Sequence, residues 1–295
     1  MALRNLALLV ALAFLWGSSN IFIKMSVETI PPMTVSACRI LSALIAYAGF
    51  ALWQGVSWPR TWPAWRALAA LAVLGYILPP FLIAYGQKRI DSGIASIIIG
   101  SIPILTALLA HLVTREERLG PRAITGVTLG FVGVAVLTGP GAVAGLGGPL
   151  EGYLAVFAGA VSYAILNVVA RHVRELSPSV IGPAVLFLSA VVLAPAAVVV
   201  DFPIATDPSL RSILAVLALG LLSTGIGLGA YFHLVARTGP TYVAMVNYLT
   251  PVVGVFLAVL ILGERLPFTA FVALALILAG IGVTTTGKTK LKPKT

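Results

Sequence analysis

Charge is what this sequence has least of. Only 9% of its 295 residues are Asp, Glu, Lys or Arg, against about 25% in a soluble globular domain. So few charges cannot cover the surface of a soluble protein of this size. Acids are the scarcer sign, nine against 19 Lys and Arg. The single cysteine, Cys38, excludes an internal disulfide and any multi-thiolate metal site. Disordered chains are polar, and this one is 59% apolar. What remains is a polytopic membrane protein. Its apolar residues come in long blocks, which favours helices over a barrel.

A spanning helix takes about 20 residues. Ten fit, near 3–27, 34–53, 65–86, 91–113, 121–138, 151–172, 180–200, 211–235, 240–262 and 267–286. Little chain is left for a soluble domain. The Gly/Ala stretch Gly139–Gly148 reads as a linker. The N-terminus superficially fits a secretory signal. Its apolar run continues too far, however, and recurs later, so it reads as a retained first span.

The basic residues sort by side. With the N-terminus inside, thirteen fall on the inner side and five on the outer, with Arg39 inside span 2. That places both termini in the cytoplasm. Scattered singly, these bases form no nucleic-acid surface. Trp53, Trp58, Trp62 and Trp65 flank the inner ends of spans 2 and 3 as an interfacial belt.

An offset of 147 positions aligns the chain with itself. Trp16 meets Tyr163, Asn20 meets Asn167, Lys24 meets Arg171 and Pro31 meets Pro178. Glu117-Arg118-Leu119 meets Glu264-Arg265-Leu266, and Pro103 meets Pro251 with a one-residue shift. The expected fold is all-α, with ten transmembrane helices in two inverted five-helix repeats. The repeats are residues 1–147 and 148–287, and 288–295 form a basic cytoplasmic tail. Five is odd, so the second unit enters the membrane reversed. Inverted repeats mark secondary transporters, with the substrate near the midplane.

Trp16, Asn20 and Lys24 are spaced i, i+4, i+8 and share a helical face, as do Tyr163, Asn167 and Arg171. Each stripe reads either as a cavity wall or as inter-helix bonding with a snorkelling cation. Spans 4 and 9 carry Gly100-Ser101-Ile102-Pro103 and Asn247-Tyr248-Leu249-Thr250-Pro251. Span 3 carries Pro79-Pro80 where span 8 has glycines around Gly227. Such breaks point to a site and hinges or to ordinary kinks and close packing. Arg39, about 9 Å into span 2, either binds a carboxylate or snorkels. No acid lies deep in a span, which disfavours proton coupling and cation export. No catalytic cluster and no metal-ligand set is present.

Trp16-Gly17-Ser18-Ser19-Asn20, followed by Lys24, Pro31 and Arg39, resembles the opening of the EamA-type carriers of the drug/metabolite transporter superfamily. Pro103 with Glu116-Glu117-Arg118-Leu119, and Pro251 with Gly263-Glu264-Arg265-Leu266, resemble the same family. Its YddG-like branch, exporters of aromatic amino acids, is similar in general character. The resemblance implies alternating access around a central cavity in the bacterial inner membrane, with no cofactor.

The expected function is export of small amphiphilic metabolites, foremost amino acids with apolar or aromatic side chains, by facilitated transport. Trp16, Tyr76, Tyr163 and Tyr248 would face the side chain. Asn20, Ser101, Asn167 and Asn247 would bind polar groups, and Arg39 and Lys24 a carboxylate. Pro79, Pro80, Pro103, Gly227 and Pro251 would be hinges. The alternatives are a proton-coupled antiporter of organic cations, a membrane-embedded enzyme and a passive channel. Partners are the substrate and the bilayer, with no nucleic acid and no obligate protein partner.

Overall fold

Proline decides where many of the helices begin, because its missing N–H costs nothing in a first turn. Pro32, Pro121, Pro178 and Pro240 each open a helix. The structure, a computed structural model, describes residues 2–54, 58–59, 61–113, 119–144, 148–170, 178–201 and 207–286. These residues are helical with short connections, and no strand occurs among them. In the first part of the chain lie α1 (Ala2–Gly17), α2 (Ser19–Ser26), α3 (Pro32–Gln54), α4 (Trp62–Ala72), α5 (Leu78–Gln87), α6 (Ser92–Ile99), α7 (Ile102–Val113) and α8 (Pro121–Ala144). The second part contains α9 (Gly148–Val169), α10 (Pro178–Val200), α11 (Leu210–Ala218), α12 (Gly227–Thr238), α13 (Pro240–Val243), α14 (Val246–Leu262) and α15 (Phe268–Thr286).

Six continuous helical stretches are long and apolar enough to cross a membrane: Leu3–Ser26, Trp62–Gln87, Ser92–Val113, Pro149–Val169, Val180–Val200 and Leu210–Thr238. Four shorter apolar stretches accompany them: Pro32–Tyr47, Pro121–Leu137, Val246–Leu262 and Phe268–Thr284. The expected linker at 139–148 is mostly helix, since α8 runs to Ala144 and α9 starts at Gly148. Backbone groups there keep their helical partners where a loop would leave them open.

Two stretches widen into π turns, Val73–Ile77 before α5 and Leu219–Ile226 before α12. In the first, Pro79 and Pro80 supply no N–H, and the Leu78 N–H bonds five residues back to Val73. The second has no proline, and the Gly227 N–H is shared between the carbonyls of Leu222 and Thr224. The α6–α7 break at Gly100 packs on Pro251. A Cβ added at Gly100 would stand 3.0 Å from the proline Cβ.

Helices of the first part of the chain pack on helices of the second. α3 lies on α10, α8 on α15, and α6 on α14. α1 lies on α14, α5 and α7 lie on α9, and α11 lies on α2. Large apolar side chains such as Leu3, Val199, Leu210, Leu260 and Phe268 are exposed, as suits a molecule whose solvent is lipid. Buried hydroxyls are mostly satisfied on their own helix. Ser36, Ser42, Ser189 and Thr284 each donate to the carbonyl four residues earlier.

The α8–α15 contact depends on glycine. A Cβ at Gly126 would stand 2.5 Å from the Gly280 carbonyl oxygen, and one at Gly280 would stand 2.6 Å from that of Gly126. Small residues let transmembrane backbones approach this closely. Gly126→Val should cost about 1–3 kcal/mol and lower the melting temperature in detergent. An unchanged melting curve would contradict this packing.

Candidate functional site

The polar side chains gather at two levels. The first is the end that the charge pattern assigns to the outside. Asn20 is 4% exposed. Its Nδ2 donates to Ser96 Oγ at 2.9 Å, and its Oδ1 accepts from Gln87 Nε2 at 2.9 Å. Ser96 in turn donates to the Ser92 carbonyl. One turn further out, Lys24 Nζ donates to the carbonyls of Gln87 and Ile90 at 2.9 and 2.8 Å. A cation thus closes the carbonyl end of α5.

An anion closes the start of α6. Gly263 has φ +65, a left-handed turn that suits glycine, and it turns the chain after α14. Glu264 follows. One of its oxygens accepts from Ser92 N and Ser92 Oγ at 2.8 and 2.7 Å, the other from Gly93 N at 2.9 Å. Asp91, at the N-cap position itself, makes no side-chain cap. Asp201 does for α3 what Glu264 does for α6, accepting from Thr34 N and Oγ1 at 2.8 and 2.7 Å. Ion pairs Arg89–Glu151 and Arg211–Glu28 lie at the same end, at 3.1 and 3.8 Å.

The second level is the middle of the bundle. The Trp16 and Tyr231 rings stack with centroids 5.6 Å apart. Gly227 gives Trp16 its room, since a Cβ there would meet Trp16 Nε1 at 2.8 Å. Tyr76, in the first π turn, lies within electrostatic reach of Tyr163, Tyr47, Tyr231 and Arg39. Arg39 Nε donates to Thr224 Oγ1, in the second π turn, at 2.9 Å. That hydroxyl also donates to the Leu219 carbonyl. The half-buried Trp16, Tyr76, Tyr163, Tyr231 and Asn247 make no side-chain hydrogen bond to protein among the described residues.

The residues singled out in the sequence therefore divide. Tyr76 lies in reach of Tyr163, Arg39 and Tyr231, and Tyr231 stacks on Trp16. Asn20 and Lys24 belong to the outer network. Asn167 is exposed and donates to Thr106 at 3.2 Å. Ser101 is buried and returns its hydroxyl to the Ile98 carbonyl. Tyr248 donates to the Ile281 carbonyl of α15. Pro79, Pro80, Pro103, Gly227 and Pro251 all sit at or next to a π turn or helix break, or inside α14. Glu116, Glu117, Arg171 and the basic tail lie outside the described residues. Gln87, Ser96, Tyr47, Thr224 and Tyr231 were not foreseen. The visible signal for Gln87 was an amide at the end of an apolar span.

Burial pushes the Asp91 carboxyl above the usual carboxylate range, the Glu264 charge adds to this, and Lys24 opposes both. A carboxyl raised on folding favours the folded state below its unfolded value and loses that contribution as pH rises through its folded value. At neutral pH the Asp91 charge is thus a liability. Asp91→Asn should raise the melting temperature at pH 7 and flatten its pH dependence at acid pH. A lower melting temperature at pH 7 would contradict the placement. Gln87→Leu should act the other way, stranding Asn20 Oδ1 at a cost of about 1–3 kcal/mol.

Comparisons with known proteins agree with a membrane carrier. The uncharacterized inner membrane transporter YedA of Escherichia coli K12 is 27% identical over 288 residues, 95% of this chain and 90% of its own length. A probable amino-acid metabolite efflux pump of Salmonella typhimurium is 28% identical over 296 residues, 96% of this chain and 94% of its own length. One solved structure matches with a TM-score of 0.68 at 22% identity, over 96% of this chain and 98% of its own, which speaks for the fold alone. Residence in the inner membrane as a multi-pass protein accords with the six long apolar stretches and with these relatives. The sequence profile of one family, the EamA-like transporters, matches at residues 3–139 and again at 150–286. The chain belongs to the EamA-like transporter family.

Proposed function

We infer that the protein exports small amphiphilic metabolites, foremost amino acids with apolar or aromatic side chains, by facilitated alternating access. Ten helices in two inverted five-helix halves would do this. The double match of the family profile supports the duplication, as do the counterpart contacts of α1 on α14 and α7 on α9, and the π turns at Val73–Ile77 and Leu219–Ile226, which overlap at the 147-residue offset. The relative named as a probable amino-acid metabolite efflux pump supports the substrate class.

One observation carries the alternating-access reading. Asn20 and Asn167 are counterparts, yet Asn20 is buried and Asn167 exposed. α2 packs on α5 and α6, while α9 has no pairing of that extent with α12, α13 or α14 among the described residues. Two symmetry-related halves in unequal packing are what a carrier caught at one end of its cycle should have. This state is closed outside and parted inside. The substrate would enter from the cytoplasm onto Trp16, Tyr76, Tyr163 and Asn247. Release would need the Asn20–Gln87–Ser96 contacts to open, with Pro79, Pro80, Pro103, Gly227 and Pro251 absorbing the motion. Tyr248, Ser101 and Asn167 would line the path on the inner side.

Efflux of labelled phenylalanine from proteoliposomes at equal pH on both sides tests this. We expect saturable flux with counterflow, and a loss of about tenfold or more for Trp16→Ala. Strict dependence on an imposed proton gradient would favour the antiporter instead. Unsaturable current would mean a channel.

A further inference from the structure

Arg39 is a guanidinium without an acid. It lies seven residues into α3 from Pro32, about 10 Å along the helix. Among the described residues no carboxylate is within ion-pair distance of it. Glu264, Asp201, Glu28 and Glu151 are all engaged at the outer end. Asp91 and Asp207 sit in connections at that end too.

Snorkelling does not describe it. The Nε bond runs to Thr224, which is buried between α3 and the second π turn. Helix contact there is tight, for a Cβ at Gly220 would meet the Arg39 carbonyl oxygen at 2.6 Å. The side chain is therefore turned inward and held. Its two Nη groups have no protein acceptor and are not sealed from solvent. Arg39, Ala43 and Tyr47 share a face of α3, and Tyr76 is in electrostatic reach of both Arg39 and Tyr47. Neutral phenols beside an open guanidinium fork make a site for a planar anion.

The same space offers nothing equivalent to an ammonium group. Among the described residues no carboxylate pairs with Arg39 or is in electrostatic reach of Tyr76. We propose that Arg39 is a carboxylate anchor in a site without an ammonium anchor, so that the substrates are aromatic or apolar monocarboxylates whose amino group is dispensable. This rests on the transport reading above and narrows it. Amino acids would be carried as one case of a broader class that includes their 2-oxo acids.

Three compounds with one phenyl ring separate the possibilities: phenylpyruvate, phenylalanine and phenethylamine. Each is measured as counterflow in proteoliposomes at pH 7.5, with protein-free liposomes subtracted. We expect phenylpyruvate to move at least as well as phenylalanine, and phenethylamine not to move. Arg39→Gln should cut both carboxylate fluxes about ten- to hundredfold. Arg39→Lys should restore part of the loss, and Thr224→Val, close in shape, should raise the KM for both while leaving the protein folded and monodisperse. If Arg39→Gln is not monodisperse, the Thr224→Val result decides. Transport of phenylalanine but not phenylpyruvate overturns the anchor and leaves the carrier reading intact. Transport of phenethylamine also overturns it, and points to cation–π binding on Trp16 and Tyr231. If none of the three moves, both readings fail.

Discussion

A polar group inside a bilayer has no water to fall back on, so each one must find a partner within the protein. The whole molecule is arranged around that requirement. Serine and threonine hydroxyls return to their own helices. Asn20 is bonded to both Gln87 and Ser96 across three spans, and only the Gln87 Oε1 is left over. Lys24 and Glu264 complete the two helix ends at the α5–α6 turn. Against that background the groups left without protein partners among the described residues stand out, among them those of Trp16, Tyr76, Tyr163, Tyr231, Asn247, the buried Ser223 hydroxyl and the Arg39 fork.

The outer closure is polar and the inner packing apolar. The counterparts of Gln87 and Ser96 are Leu234 and Val243, which are buried with Leu9, Leu12 and Ala13. Positions at the same 147-residue offset thus make two different kinds of contact. Hydrogen bonds between helices are directional and lose their strength within about an ångström. Apolar contacts tolerate sliding. Parting the Asn20–Gln87–Ser96 contact therefore meets a sharper resistance than a small shift in the packing of Leu234 and Val243.

Much of this was legible in the sequence because membrane helices obey simple rules. Apolar length marked the spans, proline marked their starts, and the offset of 147 paired Trp16 with Tyr163. The partners of Asn20 were not legible, since nothing local links residues 20, 87 and 96. Glu264 looked like part of a motif whose role was open; its work as a cap depends on α14 ending beside the start of α6. The π turns were hidden for a similar reason. Pro79-Pro80 announced one break, but the second arises among glycines with no single residue to mark it.

Each π turn holds about one residue more than the α-helical turn it replaces, which amounts to roughly 100° of rotation. Everything beyond it on the same rod is phased by that extra residue. Gln87 points at Asn20 only because Val73–Ile77 is wound wide ten residues earlier, and Leu234 meets α1 by the same rule after Leu219–Ile226. The azimuth of each closure is thus written into the sequence as a count of residues, before any side chain is chosen.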